Sequence, residues 1–195
     1  MVALHGYGQL AYYFLQHFKE LVEGFPVRIV APEGLSRFYL DEQYRRVGAS
    51  WMTREDRFEE IHDQIEYLDT VLERELARFG SSLPAIHVLG FSQGTATAWR
   101  WAASTQLQIE RLILWAGMVP EEPNNRLAAY QIVLVLGDTD PYFVGSRRDE
   151  YLKVLTSLQL SDQLITFKGD HRMDSSTLNQ MYSEYFNPKP PYRRS

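Results

Sequence analysis

The sequence contains no cysteine. Disulfides, thiolate nucleophiles and cysteine-ligated zinc are therefore excluded, and the expected compartment is the cytoplasm. No apolar run approaches the ~20 residues needed to cross a bilayer, so no transmembrane segment is expected. Nor does the N-terminus show the basic-then-apolar pattern of a signal peptide. Excess positive charge is missing too. The 20 Lys and Arg are dispersed and outnumbered by 25 Asp and Glu, for a net charge of −5. Nucleic acid is not an expected partner on that balance. The basic pair Arg193-Arg194 lies in a Pro-rich stretch that begins at Asn187 and reads as solvated tail. There is no internal repeat.

What remains is ordinary for a folded domain. The chain has 195 residues, 45% apolar and 23% charged, enough to bury one core. A single domain is expected over residues 1–187, with a tail over 188–195. The chain opens inside an apolar run, Met1-Val2-Ala3-Leu4, which suits either a minimal fold or a sequence that starts partway into one.

Short apolar runs alternate with amphipathic stretches. The runs are Val2–Leu4, Val27–Ala31, Ala85–Leu89, Arg111–Trp115, Gln131–Leu136 and Gln163–Phe167. Near-continuous apolar runs suit parallel strands covered on both faces. Between them, Phe58, Ile61, Ile65, Leu68, Leu72 and Leu76 recur at helical spacing and predict one buried helix face. Thr53 and Asp56 are placed as a capping box for that helix. Tyr151, Leu152, Leu155 and Leu158 predict another helix, and Leu178, Met181, Tyr182 and Tyr185 a last one. Strand alternating with helix predicts an α/β fold, a three-layer α/β/α sandwich on a mainly parallel sheet of about six strands. In such sheets ligands bind beyond the carboxyl ends of the strands.

The sharpest motif is Gly90-Phe91-Ser92-Gln93-Gly94. It follows an apolar run and precedes a helical pattern, the context of a nucleophile elbow. A serine on so tight a turn needs small residues two positions either side, where a side chain would collide with strand and helix. The new helix aims its N-terminal amides at the site, where an oxyanion can be held. A serine hydroxyl needs a base, and the base an orienting acid. Downstream of Ser92 stands one histidine, His171, just after the last apolar run. His62 lies in the long helical stretch, His87 in a strand and His17 in the first helix, positions that suit packing or a solvated face. The acid should lie between Ser92 and His171 in the chain. Gly137-Asp138-Thr139-Asp140-Pro141 offers two. Asp140 is preferred because the following proline holds it extended, while Asp138 suits an Asx turn. Asp170 and Asp174 are further alternatives. The first loop, His5-Gly6-Tyr7-Gly8-Gln9, brings glycines that let amides approach a ligand. Tyr7 and Gln93 are the candidate oxyanion amides, and His5 reads as a buried residue that holds the loop.

These four segments together resemble the phospholipase/carboxylesterase family of α/β-hydrolases, which includes small esterases and acyl-protein thioesterases. The resemblance runs from Leu4 to about His171 and matches the family's Gly-Phe-Ser-Gln-Gly elbow at every position. It implies a triad of Ser92, Asp140 and His171, oxyanion donors at Tyr7 and Gln93, and a strand order that sets the second run beside the first, with the third to sixth following on the other side. It also implies hydrolysis of a small-molecule carboxylic ester or thioester through an acyl-enzyme, with no cofactor and no metal. An acyl-protein thioesterase or lysophospholipase shares that machinery. A peptidase or a non-catalytic binding protein on the same fold are further alternatives. The glycine-rich surroundings usual at the family's histidine are reduced here to Gly169-Asp170, with Arg172 following directly. The segment Leu35–Met52 is about eighteen residues long, a length that in compact domains marks a functional or disordered loop. Its aromatics predict a pocket wall, from Phe38, Tyr39, Trp51 and Met52, joined by Tyr142 and Phe143 beyond the acid loop. Arg37, Arg45 and Arg46 suit either recognition of an acidic group on the substrate or plain surface charge.

Overall fold

The computed structural model describes residues 1–120, 127, 130–160 and 163–186. The tail expected over 188–195 lies outside the described residues. Five strands form one sheet: β1 (Val2–Leu4), β4 (His87–Phe91), β5 (Arg111–Trp115), β6 (Gln131–Gly137) and β7 (Leu164–Phe167), side by side in that order. Every pairing is parallel. A separate antiparallel ribbon pairs β2 (Ser36–Tyr39) with β3 (Val47–Ser50).

Alternating residues of the strands build two cores, one on each face. Val2, Leu4, Val88, Leu112, Leu114 and Leu134 face one way. They meet α3 (Arg57–Leu76), α4 (Gln93–Ser104) and α5 (Ser146–Ser157) through Leu68, Leu72, Trp101, Tyr151 and Leu155. Ala3, Leu89, Ile113, Trp115, Val133 and Val135 face the other way. There they meet α1 (Ala11–Phe14), a 3-10 turn over Leu15–Phe18, α2 (Lys19–Gly24) and α6 (Ser175–Met181) through Phe14, Phe18, Leu21, Leu178 and Met181. This is the expected three-layer α/β/α sandwich.

Three local expectations change. The run Val27–Ala31 is not a strand; it touches the sheet at one parallel bridge, Val30 to Val2. The Ala3 amide donates to the Val30 carbonyl at 2.8 Å and the Val30 amide to Met1 at 2.9 Å. Pro26 and Pro32 bracket the run and supply no amide to continue the ladder. The edge position is the one expected, and among the described residues the sheet has five strands where about six were expected. Phe58 is 82% exposed, so the buried stripe of α3 begins a turn later. The stripe includes a polar residue, Gln64, which donates to the Trp51 carbonyl. The capping box does not form. Asp56 has φ 45° and makes no side-chain cap, while the Thr53 amide and hydroxyl both reach Glu60, at 2.5 and 3.3 Å.

The segment Leu35–Met52 is not an open loop but the β2–β3 hairpin. Its tip is an Asx turn in which the Asp41 carboxylate accepts from the amides of Gln43 and Arg45, both at 3.1 Å. The hairpin is anchored to the first loop. Gly8 donates to Ala49 at 2.8 Å, and Ala49 to Gln9 at 3.2 Å. A Cβ on Gly48 would lie 2.5 Å from the Gly8 carbonyl oxygen, so the two backbones touch.

Candidate active site

Strand β4 ends at Phe91 and helix α4 begins at Gln93, leaving Ser92 alone to make the turn. Its backbone takes φ 55° and ψ −116°, a region L-residues avoid and functional sites retain. The Ser92 amide still pairs with the Trp115 carbonyl at 2.8 Å, so the serine is fixed to the last residue of the neighbouring strand β5. The flanking glycines are required sterically. A Cβ on Gly90 would lie 2.3 Å from the Gly94 carbonyl oxygen, and one on Gly94 would lie 2.3 Å from that of Leu4.

The structure brings Ser92, His171 and Asp140 into one hydrogen-bonded chain. Ser92 Oγ stands 2.9 Å from His171 Nε2, and His171 Nδ1 stands 2.7 Å from Asp140 Oδ2. Asp140 is fully buried, and its other oxygen accepts the Tyr142 amide at 2.9 Å. Asp138 is engaged elsewhere, accepting the Gly169 amide at 2.9 Å. Asp174 caps α6 by accepting the Thr177 amide at 3.0 Å, a bond that helps hold its carboxyl below the usual range against the opposing effect of burial. Asp170 pairs with Arg172 at 3.3 Å.

The acid and histidine loops are clasped together. Thr139 donates to the Gly169 carbonyl at 3.0 Å and Asp138 to that of Phe167 at 2.9 Å. Trp115 at the end of β5 donates through its indole to the Arg172 carbonyl at 2.9 Å. The imidazole of His171 sits between the Phe91 ring at 5.2 Å and the Tyr142 ring at 4.6 Å.

The first loop lies directly against the serine, since a Cβ on Gly6 would be 3.2 Å from Ser92 Cβ. The amides of Gly6, Gly8 and Gln9 are all taken, by Gln9 Oε1 at 2.7 Å, Ala49 at 2.8 Å and Gly6 at 3.2 Å. No acceptor for the Tyr7 or Gln93 amide is found among the described residues. Gln93 opens helix α4, so its amide has no partner within the helix.

The side chain of Gln93, unremarked in the sequence, clamps this loop region to the hairpin. Its Nε2 donates to Ser50 Oγ at 3.1 Å and to the Met52 carbonyl at 2.9 Å, while its Oε1 accepts the Trp51 amide at 3.0 Å. Trp51 is 1% exposed and donates its indole N–H to the His5 carbonyl at 2.8 Å. Replacing Trp51 with alanine should therefore cost about 3–5 kcal/mol of stability, read by urea denaturation. Tyr39→Ala should stay within about 0.5 kcal/mol, because Tyr39 is exposed and meets Tyr44 only edge-on at 4.8 Å.

His5 is fully buried behind the loop. Its Nε2 accepts the Gly34 amide at 2.9 Å and its Nδ1 lies 2.7 Å from the Gly6 carbonyl, a pairing that suits the neutral ring. Burial lowers its pKa, partly opposed by the Gly6 carbonyl and the Glu33 carboxylate. His87 is pushed down to about 4, by burial first and then by the N-terminal ammonium and Arg111. Both groups bind protons more weakly folded than unfolded. Their stabilisation is complete above the ordinary histidine value near 6.5 and is lost as pH falls below it. The melting temperature should accordingly drop from about pH 6.5 towards pH 4, with a shallower slope in His5→Gln.

Beside Ser92, Gln93 and His171 lies a cleft of about 240 Å³, walled by Ala96, Ala116, Gly117, Met118, Tyr142 and Phe143. Tyr142 and Phe143 were expected at a pocket. Ala96 and the segment Ala116–Met118 were not, although the latter follows β5 at the carboxyl edge where ligands bind. The hairpin aromatics are not among the residues walling this cleft. Phe38 stacks on the Tyr7 ring at 4.9 Å, Trp51 is core, and Met52 offers its carbonyl to Gln93.

A parallel sheet with a serine perched at a strand-to-helix turn, and with histidine and aspartate converging on it from the last two strand ends, defines the α/β-hydrolase class. The chain belongs to the phospholipase/carboxylesterase family, whose model matches residues 1–185, and it is a hydrolase. Similar solved structures include esterase PE8, 22% identical over 94% of this chain and 90% of that one, with a TM-score of 0.60. Others are acyl-protein thioesterase 2 of Zea mays (17%, covering 93% and 90%, TM-score 0.64) and a Bacillus cereus carboxylesterase (15%, 94% and 85%, 0.65). No curated protein sequence matches significantly. Among the described residues no helix is long and apolar enough to cross a membrane.

Proposed function

We propose that the protein hydrolyses carboxylic esters or thioesters of small molecules through Ser92, His171 and Asp140. The observation that carries this reading is the chain of contacts from Ser92 Oγ through the imidazole to a fully buried carboxylate. His171 Nε2 takes the hydroxyl proton as Ser92 Oγ adds to the carbonyl carbon. Asp140 holds the ring in the tautomer that makes this possible and balances the imidazolium that forms. The negative charge developing on the carbonyl oxygen is met by the Tyr7 and Gln93 amides and by the N-terminus of α4. One such donor is worth about 3 kcal/mol of barrier. His171 then gives its proton to the departing alcohol or thiol. Water, deprotonated by the same nitrogen, releases the acid from Ser92.

The cleft beside Ser92, about 240 Å³, lies just below the volumes of about 300–1,000 Å³ that take drug-sized ligands. It suits a short acyl or alcohol part. A panel of p-nitrophenyl esters from acetate to palmitate should show turnover that falls with chain length. The likeness to the maize thioesterase keeps a second reading in view, hydrolysis of long-chain thioesters. A palmitoyl thioester cleaved faster than a butyryl one would favour that reading and remove the short-chain one.

A further inference from the structure

A second cavity, of about 570 Å³, opens between the β2–β3 hairpin and α1. Apolar side chains of Leu10, Phe14, Leu40 and Val47 wall it, and Arg45, Arg46 and His17 line it as well. No carboxylate is among the described lining residues. The charge is the arginines', because burial favours the neutral form of His17. Arg46 has no acidic partner among the described residues. Arg45 is held only loosely, 3.9 Å from Asp41 and 3.3 Å from the Gln43 side chain. Arg37, the third arginine of the segment, is a different case. It pairs with Glu33 at 2.5 Å and is spent on holding the hairpin.

This cavity adjoins the candidate site. Gly8 and Gln9 are part of its wall, and Gln9 Oε1 accepts the amide of Gly6, the residue packed against Ser92. On its inner side Phe14 stacks on Phe91 at 6.0 Å, and Phe91 touches His171. By chain length, Gly8 Cα is within about 8 Å of Gly6 Cα. Among the described residues the cavity and the cleft beside Ser92 share no wall residue. The first loop lies against Ser92 at Gly6 and walls the cavity at Gly8 and Gln9, so a substrate with its carbonyl at Ser92 reaches the arginines by laying a few methylenes across that loop. Guanidinium matches carboxylate and phosphate oxygens in geometry as well as charge.

Resting on the hydrolase reading above, we propose that the preferred esters carry an anionic oxygen group, a carboxylate or a phosphate, on one end, and that Arg45 and Arg46 recognise it in this cavity. A neutral chain of the same length leaves the arginines to water and gains only the apolar walls.

Two substrate pairs and one binding measurement test this. Mono-p-nitrophenyl adipate against p-nitrophenyl hexanoate places the anion on the acyl side. Para-carboxyphenyl hexanoate against phenyl hexanoate places it on the alcohol side. The readout is the anionic-to-neutral ratio of kcat/KM in the wild type and in Arg45→Gln/Arg46→Gln, so that intrinsic reactivity cancels. In one of the two pairs the ratio should fall about tenfold in the double variant, through KM, and should also fall in high salt. In parallel, calorimetry measures adipate and phenyl phosphate binding to the wild type and the double variant without any turnover. One of these anions should bind the wild type and lose about tenfold in affinity in the variant. Ratios and affinities that are unchanged by the double substitution overturn the inference. Arginine-dependent binding without hydrolysis of any ester supports the anion site and counts against the hydrolase reading instead.

Discussion

Ser92→Ala should lower turnover of a short p-nitrophenyl ester by roughly 10⁵- to 10⁶-fold, the loss seen when the nucleophile of an intact triad is removed. The residual rate comes from water attacking a carbonyl still polarised by the Tyr7 and Gln93 amides. The substitution keeps a Cβ at the same backbone angles and removes one half-buried hydrogen bond, to His171, so stability should change by only about 1 kcal/mol. Circular dichroism and the melting temperature check that. Intact-mass spectrometry after fluorophosphonate treatment should show a single adduct in the wild type and none in the variant. The neighbouring hydroxyls give the test its edge. Ser50 donates to the Met52 carbonyl at 2.9 Å and Thr95 to the Gly90 carbonyl at 2.9 Å, and neither is hydrogen-bonded to a histidine. An adduct that persists in Ser92→Ala means a different nucleophile and sinks the proposed mechanism.

The elbow was legible in the sequence because its residue types are a steric necessity. Glycines at 90 and 94 are the residues that fit where a Cβ would stand 2.3 Å from a carbonyl oxygen, and no tertiary context relaxes that. His171 was legible because it is the lone histidine after Ser92. The parallel sheet was legible from its doubly buried runs, since both faces of β4 to β6 are covered. The hairpin was hidden for a physical reason as well. Its turn carries neither glycine nor proline nor asparagine, and Tyr44 takes φ 57°, an angle that a β-branched or bulky residue rarely adopts. Val27–Ala31 misled because apolar content says nothing about donors, and the flanking prolines limit the run to one bridge. The Gln93 clamp and the Ala116–Met118 wall lay outside what periodicity reports. A glutamine at a helix start is compatible with any environment, and only the end of β3 arriving beside it makes its amide a structural tie. The choice between Asp138 and Asp140 likewise depended on loop geometry. Both stand in a loop that follows a strand, and only the pairing of that loop with Gly169 shows which carboxylate turns inward.

That pairing makes Asp140→Asn the more informative of the two aspartate substitutions, with an expected loss of about 10⁴ in kcat/KM. Both oxygens of Asp140 accept hydrogen bonds, one from the Tyr142 amide and one from the His171 ring. Asparagine has a single oxygen. If it keeps the Tyr142 amide, its NH₂ faces His171 Nδ1, and the ring must present a lone pair there. The proton then sits on Nε2, pointing at Ser92, and the histidine cannot accept the hydroxyl proton. Turning the amide the other way restores the histidine bond but sets NH₂ against the buried Tyr142 amide, a clash of two donors. Either arrangement also removes the negative charge that balances the imidazolium. Asp138→Asn retains an oxygen for the Gly169 amide and disturbs no group in contact with the imidazole, so its loss should stay below about tenfold. Both variants are measured with one ester at saturating and limiting concentration, beside their melting curves. Asp140→Asn should lower kcat with little change in KM, because the aspartate acts on the proton transfer and not on substrate affinity. A loss at Asp138→Asn equal to or larger than that at Asp140→Asn would show that the charge orienting His171 comes from the other carboxylate.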